Sequence, residues 1–202
     1  IEPVWIQELA AIVAVSDDGG SSGRLRNELQ MLPPGDVRNC MVALSEDSHL
    51  LSRLFRYRFS GNGGLGGHSF GNIFLAALSE MTGDFAEAVR LSSEVLASKG
   101  HIYPATTANV HVAAELDDGS MVQGETRISQ VGPRVKRLFL EPAECHPLPD
   151  AIAAIKTADL ITIGPGSLFT SILPPLLVKG VAKAVATSPA TRVLVGNLMT
   201  QP

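Results

Sequence analysis

Ala11-Ile12-Val13-Ala14-Val15 runs straight into Ser16-Asp17-Asp18-Gly19-Gly20-Ser21-Ser22-Gly23-Arg24, and a helix-like Leu25 to Leu29 follows. A short continuous apolar run bounded by a turn reads as a buried strand. Strand, Gly/Ser-rich turn and helix together form the layout of a phosphate cradle. The glycines let the backbone bend and approach a ligand closely. The amides of Gly20 to Gly23 can then face an anion, assisted by the positive end of the following helix. Asp17 and Asp18 would repel a bare anion. They suit a metal, a sugar hydroxyl or a proton transfer better. The same residue types also make an ordinary flexible turn.

Outward from this stretch, helices alternate with short apolar runs. Pro33 and Pro34 stop any helix after Met31-Leu32. Asp36 is placed to cap the next helix, Val37 to Ser45. Ser48 to Tyr57 reads as a short helix, and Ile73 to Met81 as an apolar one after the loop Ser60 to Gly67. Asp84 and Glu87 stand three apart, as in a capping box. Phe85, Val89, Ser92 and Leu96 then share one helical face, with Gly100 as the stop. Val110 to Leu116 and Met121 to Ile128 flank Asp117-Asp118-Gly119-Ser120 as a hairpin, and Arg134 to Leu140 adds a third strand. Asp150 to Ala158 is a helix and Leu160 to Ile163 a strand. A helix from Leu168 is broken by Pro174 and Pro175 and resumes to about Ala186. Arg192 to Val195 is the last strand.

This order predicts an α/β fold: a Rossmann-like parallel sheet with helices on both faces and a small β-hairpin insertion at about 105–141. A single domain over 1–202 is expected. The chain begins without Met and ends on Met199-Thr200-Gln201-Pro202 after a strand-like run, so a fragment with missing termini is expected.

With 45% hydrophobic and 18% charged residues, the chain can bury a core and is not disordered. The net charge of -4 and the scattered basic residues argue against nucleic-acid binding. No apolar run approaches the length of a membrane span. Cys40 and Cys145 stand in no metal spacing, so a reducing cytoplasm is the simplest setting, with one disulfide as the alternative, and no metal site is expected.

Ligands of open α/β sheets bind beyond the carboxyl ends of the strands. Three loops follow strands here: Ser16 to Gly23, Gly164 to Ser167, and Gly196 to Asn197. On parallel strands they share one edge and one crevice. Gly164, Gly166 and Ser167 suit phosphate contact. The same loop also fits a plain tight turn. No loop matches the dinucleotide or Walker fingerprint. Gly67-His68-Ser69-Phe70-Gly71 fits the nucleophile-elbow pattern of a serine hydrolase, but no buried strand precedes it. His68 and Asn72, one helical turn apart, can instead face a ligand; a capping or packing role also suits His68. Arg24 and Arg38 sit beside Gly-rich turns and suit diphosphate oxygens.

Asp17-Asp18-Gly-Gly-Ser-Ser-Gly-Arg24-Leu-Arg26, Leu32-Pro-Pro-Gly-Asp36-Val-Arg38-Asn39, Gly67-His68-Ser-Phe-Gly-Asn72, Gly164-Pro-Gly-Ser-Leu-Phe-Thr-Ser171 and Asn197-Leu-Met-Thr-Gln-Pro202 together resemble the gluconeogenesis-factor (YvcK-like) family. That family is related to the CofD-like 2-phospho-L-lactate transferases. The resemblance runs in the same order over nearly the whole chain. It implies a cytoplasmic regulator that binds a nucleotide sugar, UDP-N-acetylglucosamine, and is needed for cell shape and wall synthesis under gluconeogenic growth. It implies no established reaction. Ligand-binding residues would be Asp17, Asp18, Gly19, Gly20, Ser21, Ser22, Gly23, Arg24, Arg38, Asn39, His68, Asn72, Gly164, Gly166, Ser167 and Asn197. The alternative is a phospho-organic-acid transferase using a nucleotide-diphosphate donor, with Mg2+ held by Asp17 or Asp18. No other cofactor is expected, and a homodimer stays open.

Overall fold

The computed structural model describes residues 6–45, 50–131 and 134–198. Strand β1 (Ala10–Val13) leads through the Asp/Gly/Ser turn into α1 (Gly20–Leu29). Four helices follow: α2 (Gly35–Leu44), α3 (Leu50–Arg56), α4 (Phe70–Thr82) and α5 (Phe85–Val95). β2 (His101–Pro104) then returns parallel to β1, with Ala10 opposite His101 and Val13 opposite Pro104. β3 (His111–Leu116), β4 (Met121–Gln123), α6 (Glu125–Val131) and β5 (Val135–Glu141) come next. The chain continues through α7 (Pro149–Thr157), β6 (Leu160–Ile163), a π-helical turn Leu168–Ile172, α8 (Leu173–Leu177), α9 (Val181–Thr187) and β7 (Thr191–Leu194).

The fold is α/β with parallel strands, as expected, but the sheet is divided. Among the described residues β1–β2 and β6–β7 are two separate parallel pairs, and β4-β3-β5 is a three-stranded antiparallel sheet. Helices α2, α5 and α7 all pack on the β1–β2 pair.

The inserted β part differs from a simple hairpin. The expected strand Met121 to Ile128 stops at Gln123, and Glu125 opens a helix instead. Gly124 makes the bend, at φ +99°. β2 is an additional strand; its sequence His-Ile-Tyr-Pro lacks the continuous apolar run that marks β1. Pro174 and Pro175 do not break a helix. They occupy the first positions of α8, where the missing N–H had no partner to lose. The break falls at Gly180, at φ +90°. Asp36 is not a cap: α2 begins at Gly35, so Asp36 lies inside its first turn. α5 ends at Val95, before Gly100. The proposed helix start at Ser48 and residues 199–202 of the last motif lie outside the described residues.

Other expectations hold. Asp84 Oδ1 accepts the backbone N–H groups of Ala86 at 2.7 Å and Glu87 at 3.3 Å, which caps α5. Phe85, Val89, Ser92 and Leu96 are all buried on its inner face. In the core, Phe55 of α3 is fully buried between Phe70 and Phe74 of α4, with ring centroids 5.9 and 5.0 Å away. This packing sets the start of α4, and with it His68 and Asn72, against α1. No single described helix is long and apolar enough to cross a membrane.

Candidate functional site

The turn after β1 is held at both of its aspartates. Asp17 Oδ1 accepts the N–H of Gly19 at 2.8 Å, an Asx-type contact that shapes the entry to α1. Asp18 turns away. Its Oδ1 accepts both the backbone N–H of Thr126 at 3.0 Å and the Thr126 hydroxyl at 2.8 Å. Asp18 thus caps the first turn of α6 from 108 residues away in sequence. Gly23 is required by packing: a Cβ there would lie 2.1 Å from the Asp18 carbonyl oxygen. On the other side, a Cβ on Gly35 would meet Ser22 Oγ at 2.3 Å and Asp17 Oδ2 at 2.9 Å. The start of α2 therefore closes directly onto the turn.

Behind the turn lies a buried polar cluster. Ser21 Oγ is 2.9 Å from His68 Nδ1, and Asn72 Nδ2–H donates to the same Ser21 oxygen at 3.1 Å. Ser69 caps α4, its hydroxyl accepting the Asn72 N–H at 3.3 Å. Ser69 is fully buried in that role. Ser69 itself makes an isolated bridge with Arg58, and among the described residues no strand lies between α3 and α4, so the strand that a nucleophile elbow needs is not there. Arg38 packs on the same helix start, since a Cβ on Gly71 would lie 2.8 Å from its Cγ.

Charge is concentrated here and strongly perturbed. Burial pushes the Asp36 carboxyl up to about 6, with the Asp17 charge adding and Arg38 opposing. Burial pushes Glu125 up to about 8, reinforced by Asp36 and Asp17 and opposed by its hydrogen bond with Thr170. At neutral pH Glu125 is therefore largely an uncharged acid. Arg26 and Arg38 have lowered pKa values because both are buried; Asp18 and Asp17 oppose the shift at Arg26, and Arg58 adds to it at Arg38. Arg26 is anchored to the Asn109 side chain and to the Val110 carbonyl oxygen at 2.6 Å. Among the described residues five buried side-chain atoms still lack a partner: Ser16 Oγ, Arg26 Nη1, Arg38 Nε, Asn72 Oδ1 and Glu125 Oε2. Each such atom costs about 1–3 kcal/mol in a folded protein. Among the described residues no group of three or more His, Cys, Asp and Glu side chains is arranged to hold a metal ion.

The loops after β6 and β7 meet each other. Asn197 Nδ2–H donates to the Gly166 carbonyl at 2.8 Å. A Cβ on Gly164 would sit 2.7 Å from the Val195 carbonyl oxygen. Ser167 precedes the π-helical turn, and its side chain makes no capping bond. This second cluster joins the first through α6, which packs on the π-helical turn and sets Glu125 beside Thr170.

Of the expected site residues, Asp17, Asp18, Gly19, Ser21, Ser22, Gly23, Arg38, His68 and Asn72 gather around the first turn. Gly164, Gly166, Ser167 and Asn197 gather at the second. Gly20 is exposed at the start of α1, Asn39 is exposed on α2, and Arg24 is exposed with its guanidinium on the Gly66 carbonyl at 2.6 Å. Arg26, Asp36, Glu125, Thr126 and Thr170 also belong to the polar centre and were not among the expected residues. Arg26 carried a readable signal: it lies four residues after buried Ser22, on the same face of α1. Glu125 and Thr126 carried none, because their segment reads as a strand.

The family model for the 2-phospho-L-lactate transferase CofD matches residues 4–202. The gluconeogenesis factor of Bacillus subtilis is 52% identical over 195 residues, covering 96% of this chain and 62% of that protein. That of Halalkalibacterium halodurans is 50% identical over 193 residues, covering 96% and 60%. The chain thus spans about three fifths of the length of these relatives. The crystal structure of a UPF0052-family protein from Bacillus halodurans aligns with a TM-score of 0.90 at 50% identity, over 94% of this chain and 61% of that one. The chain belongs to the CofD-like family and is similar throughout to its gluconeogenesis factors.

Proposed function

We propose that this chain forms most of the ligand site of a cytoplasmic, nucleotide-sugar-binding regulator, taking UDP-N-acetylglucosamine and acting in cell shape and wall synthesis under gluconeogenic growth. The identity of the ligand rests on the family resemblance. The observation that supports a polar ligand is the set of buried, partnerless atoms around the first turn: Ser16 Oγ, Arg26 Nη1, Arg38 Nε and Asn72 Oδ1. A ligand with many hydroxyl and amide groups satisfies such atoms, and their desolvation cost is then recovered on binding.

The carboxylates argue for the sugar part rather than the diphosphate at this turn. Burial, and secondly the charge of Asp17 at Asp36 and of Asp36 and Asp17 at Glu125, raise the pKa values of Asp36 and Glu125, so this site already disfavours negative charge. Placing two phosphate charges there adds repulsion. The Gly164 to Ser167 loop has no carboxylate among its own residues and suits the phosphates better.

The test is a thermal-shift panel on the complete protein with UDP-N-acetylglucosamine, other nucleotide sugars and guanosine-linked phospholactate. A ligand that binds only the native state adds about 2.7 kcal/mol at a hundredfold excess over Kd. A selective rise in Tm with UDP-N-acetylglucosamine is expected. No shift at millimolar ligand overturns the reading. A shift with guanosine-linked phospholactate, accompanied by its turnover, replaces it with the transferase.

A further inference from the structure

Three arginines from separate parts of the chain converge on the loop that enters α4. Arg24, on α1, donates from Nη2 to the Gly66 carbonyl oxygen at 2.6 Å. Arg58, just after α3, donates from Nη1 to the next carbonyl, that of Gly67. Arg38, on α2, lies against the start of α4, where a Cβ on Gly71 would sit 2.8 Å from its Cγ. The loop is closed by its own backbone: the Gly66 N–H donates to Gly63 at 2.8 Å, the Gly67 N–H to Phe59 at 2.9 Å and the His68 N–H to Leu65 at 3.0 Å. Its carbonyls therefore hold the Arg24 and Arg58 guanidinium groups in place as neighbours.

This charge is not balanced locally. Among the described residues no ion pair includes Arg24, Arg38 or Arg58. Arg38 is 9% exposed, and its Nε–H is buried without an acceptor. Burial first and the Arg58 charge second lower its pKa, and Asp36 opposes less strongly than Arg58 acts. At His68 burial and then the charges of Arg24 and Arg58 lower the pKa in the same way, with Glu28 opposing. A buried donor beside a like charge is costly, and a bound anion relieves both costs together.

We propose that Arg24, Arg38 and Arg58 form a phosphate-binding site beside the Gly66–Gly67 loop. Arg24 and Arg58 are exposed, which opens the site to solvent. Each uses one N–H on the loop and keeps the rest of its fork for a ligand. A phosphate offers enough acceptor oxygens for donors arriving from three directions, and its charge suits three cations better than a carboxylate does. The site does not rest on the nucleotide-sugar reading: the phosphate belongs either to that ligand's diphosphate or to a separate small phosphate ester.

The experiment titrates the complete protein with inorganic phosphate by calorimetry and thermal shift, against chloride at matched ionic strength. Phosphate is expected to bind and to raise Tm at millimolar concentration, and chloride is not. Arg24→Gln and Arg58→Gln are each expected to weaken phosphate binding roughly tenfold, as loss of a bond to a charged group does. Arg137→Gln, at an exposed arginine of β5, is expected to leave it unchanged. Displacement of phosphate by UDP-N-acetylglucosamine supports the site and assigns it to the diphosphate, moving that group from the Gly164 to Ser167 loop. Simultaneous binding of both supports the site and assigns it to a separate phosphate ester. Phosphate binding with no nucleotide sugar bound supports the site and overturns only the nucleotide-sugar reading. Phosphate acting no better than chloride, or binding Arg24→Gln and Arg58→Gln as tightly as the unaltered protein, overturns the proposal.

Discussion

Asp18 shows what a single carboxylate does for the fold. Its two bonds to Thr126 close the start of α6, a seven-residue helix too short to persist alone. Removing a capping side chain costs about 0.5–2 kcal/mol. Asp18→Ala is therefore expected to destabilise the protein by about 1–2 kcal/mol even without ligand, read from the urea midpoint. Thr126→Val, which keeps the backbone bond, is expected to lose about half as much. Equal midpoints for Asp18→Ala and the unaltered protein would remove the cap from the account. The two neighbouring aspartates were legible in the sequence as a functional pair, and their divergence was legible only as the alternation of a strand end. Their separate partners were not, because Thr126 is 108 residues distant and sits in a stretch with strand-like composition.

Among elements, α6 is the one that local sequence misassigned and that the site most depends on. Val122, Thr126 and Ile128 favour a pleated reading. Two tertiary facts override it. Gly124 takes φ +99°, with the Asp18 carboxylate so close that a Cβ would lie 2.2 Å from its Oδ2, and Ile128 is fully buried on the inner side of the resulting helix. By contrast, α5 was legible because cap, period and inner face agree. The placement of Glu125 has a signed consequence for pH. Its folded pKa, about 8, lies above the ordinary 4.5. Between these values the folded state holds a proton that the unfolded chain has lost, so stability falls as pH rises from about 4.5 to about 8. Asp36, at about 6, adds to the fall in the lower part of that window. Glu125→Gln keeps a neutral group beside Thr170 and is expected to flatten the upper part of the curve, so that the variant exceeds the unaltered protein in stability at pH 8 to 9. Urea unfolding at several pH values checks this. A variant with the same slope between pH 6 and 8 would show that Glu125 does not titrate there.

For the whole molecule, the parallel pairs β1–β2 and β6–β7 each deliver a Gly-rich loop, as the alternation of strands and helices foretold. The sequence could not tell how the two loops are held together, since no strand pairing joins them among the described residues. The link is a packing contact between α6 and the π-helical turn, where the Thr170 hydroxyl lies close enough to Glu125 to oppose the rise of its pKa. Thr170 is 2% exposed, so this contact is dry. A ligand that reaches from the sugar-type cluster at Asp17 and His68 to the loop at Gly166 gains affinity only if both are held in place beforehand. Thr170→Val removes the hydroxyl at nearly constant volume and is expected to lower stability by about 1–2 kcal/mol without ligand. It is further expected to reduce the Tm rise given by UDP-N-acetylglucosamine by more than half in the complete protein, because part of the binding energy is then spent on ordering the loops. Thr170→Ser keeps the hydroxyl and is expected to retain the full rise. If the valine variant is destabilised yet binds undiminished, the ligand lies wholly within one cluster. The buried groups around Ser21 then mark which one.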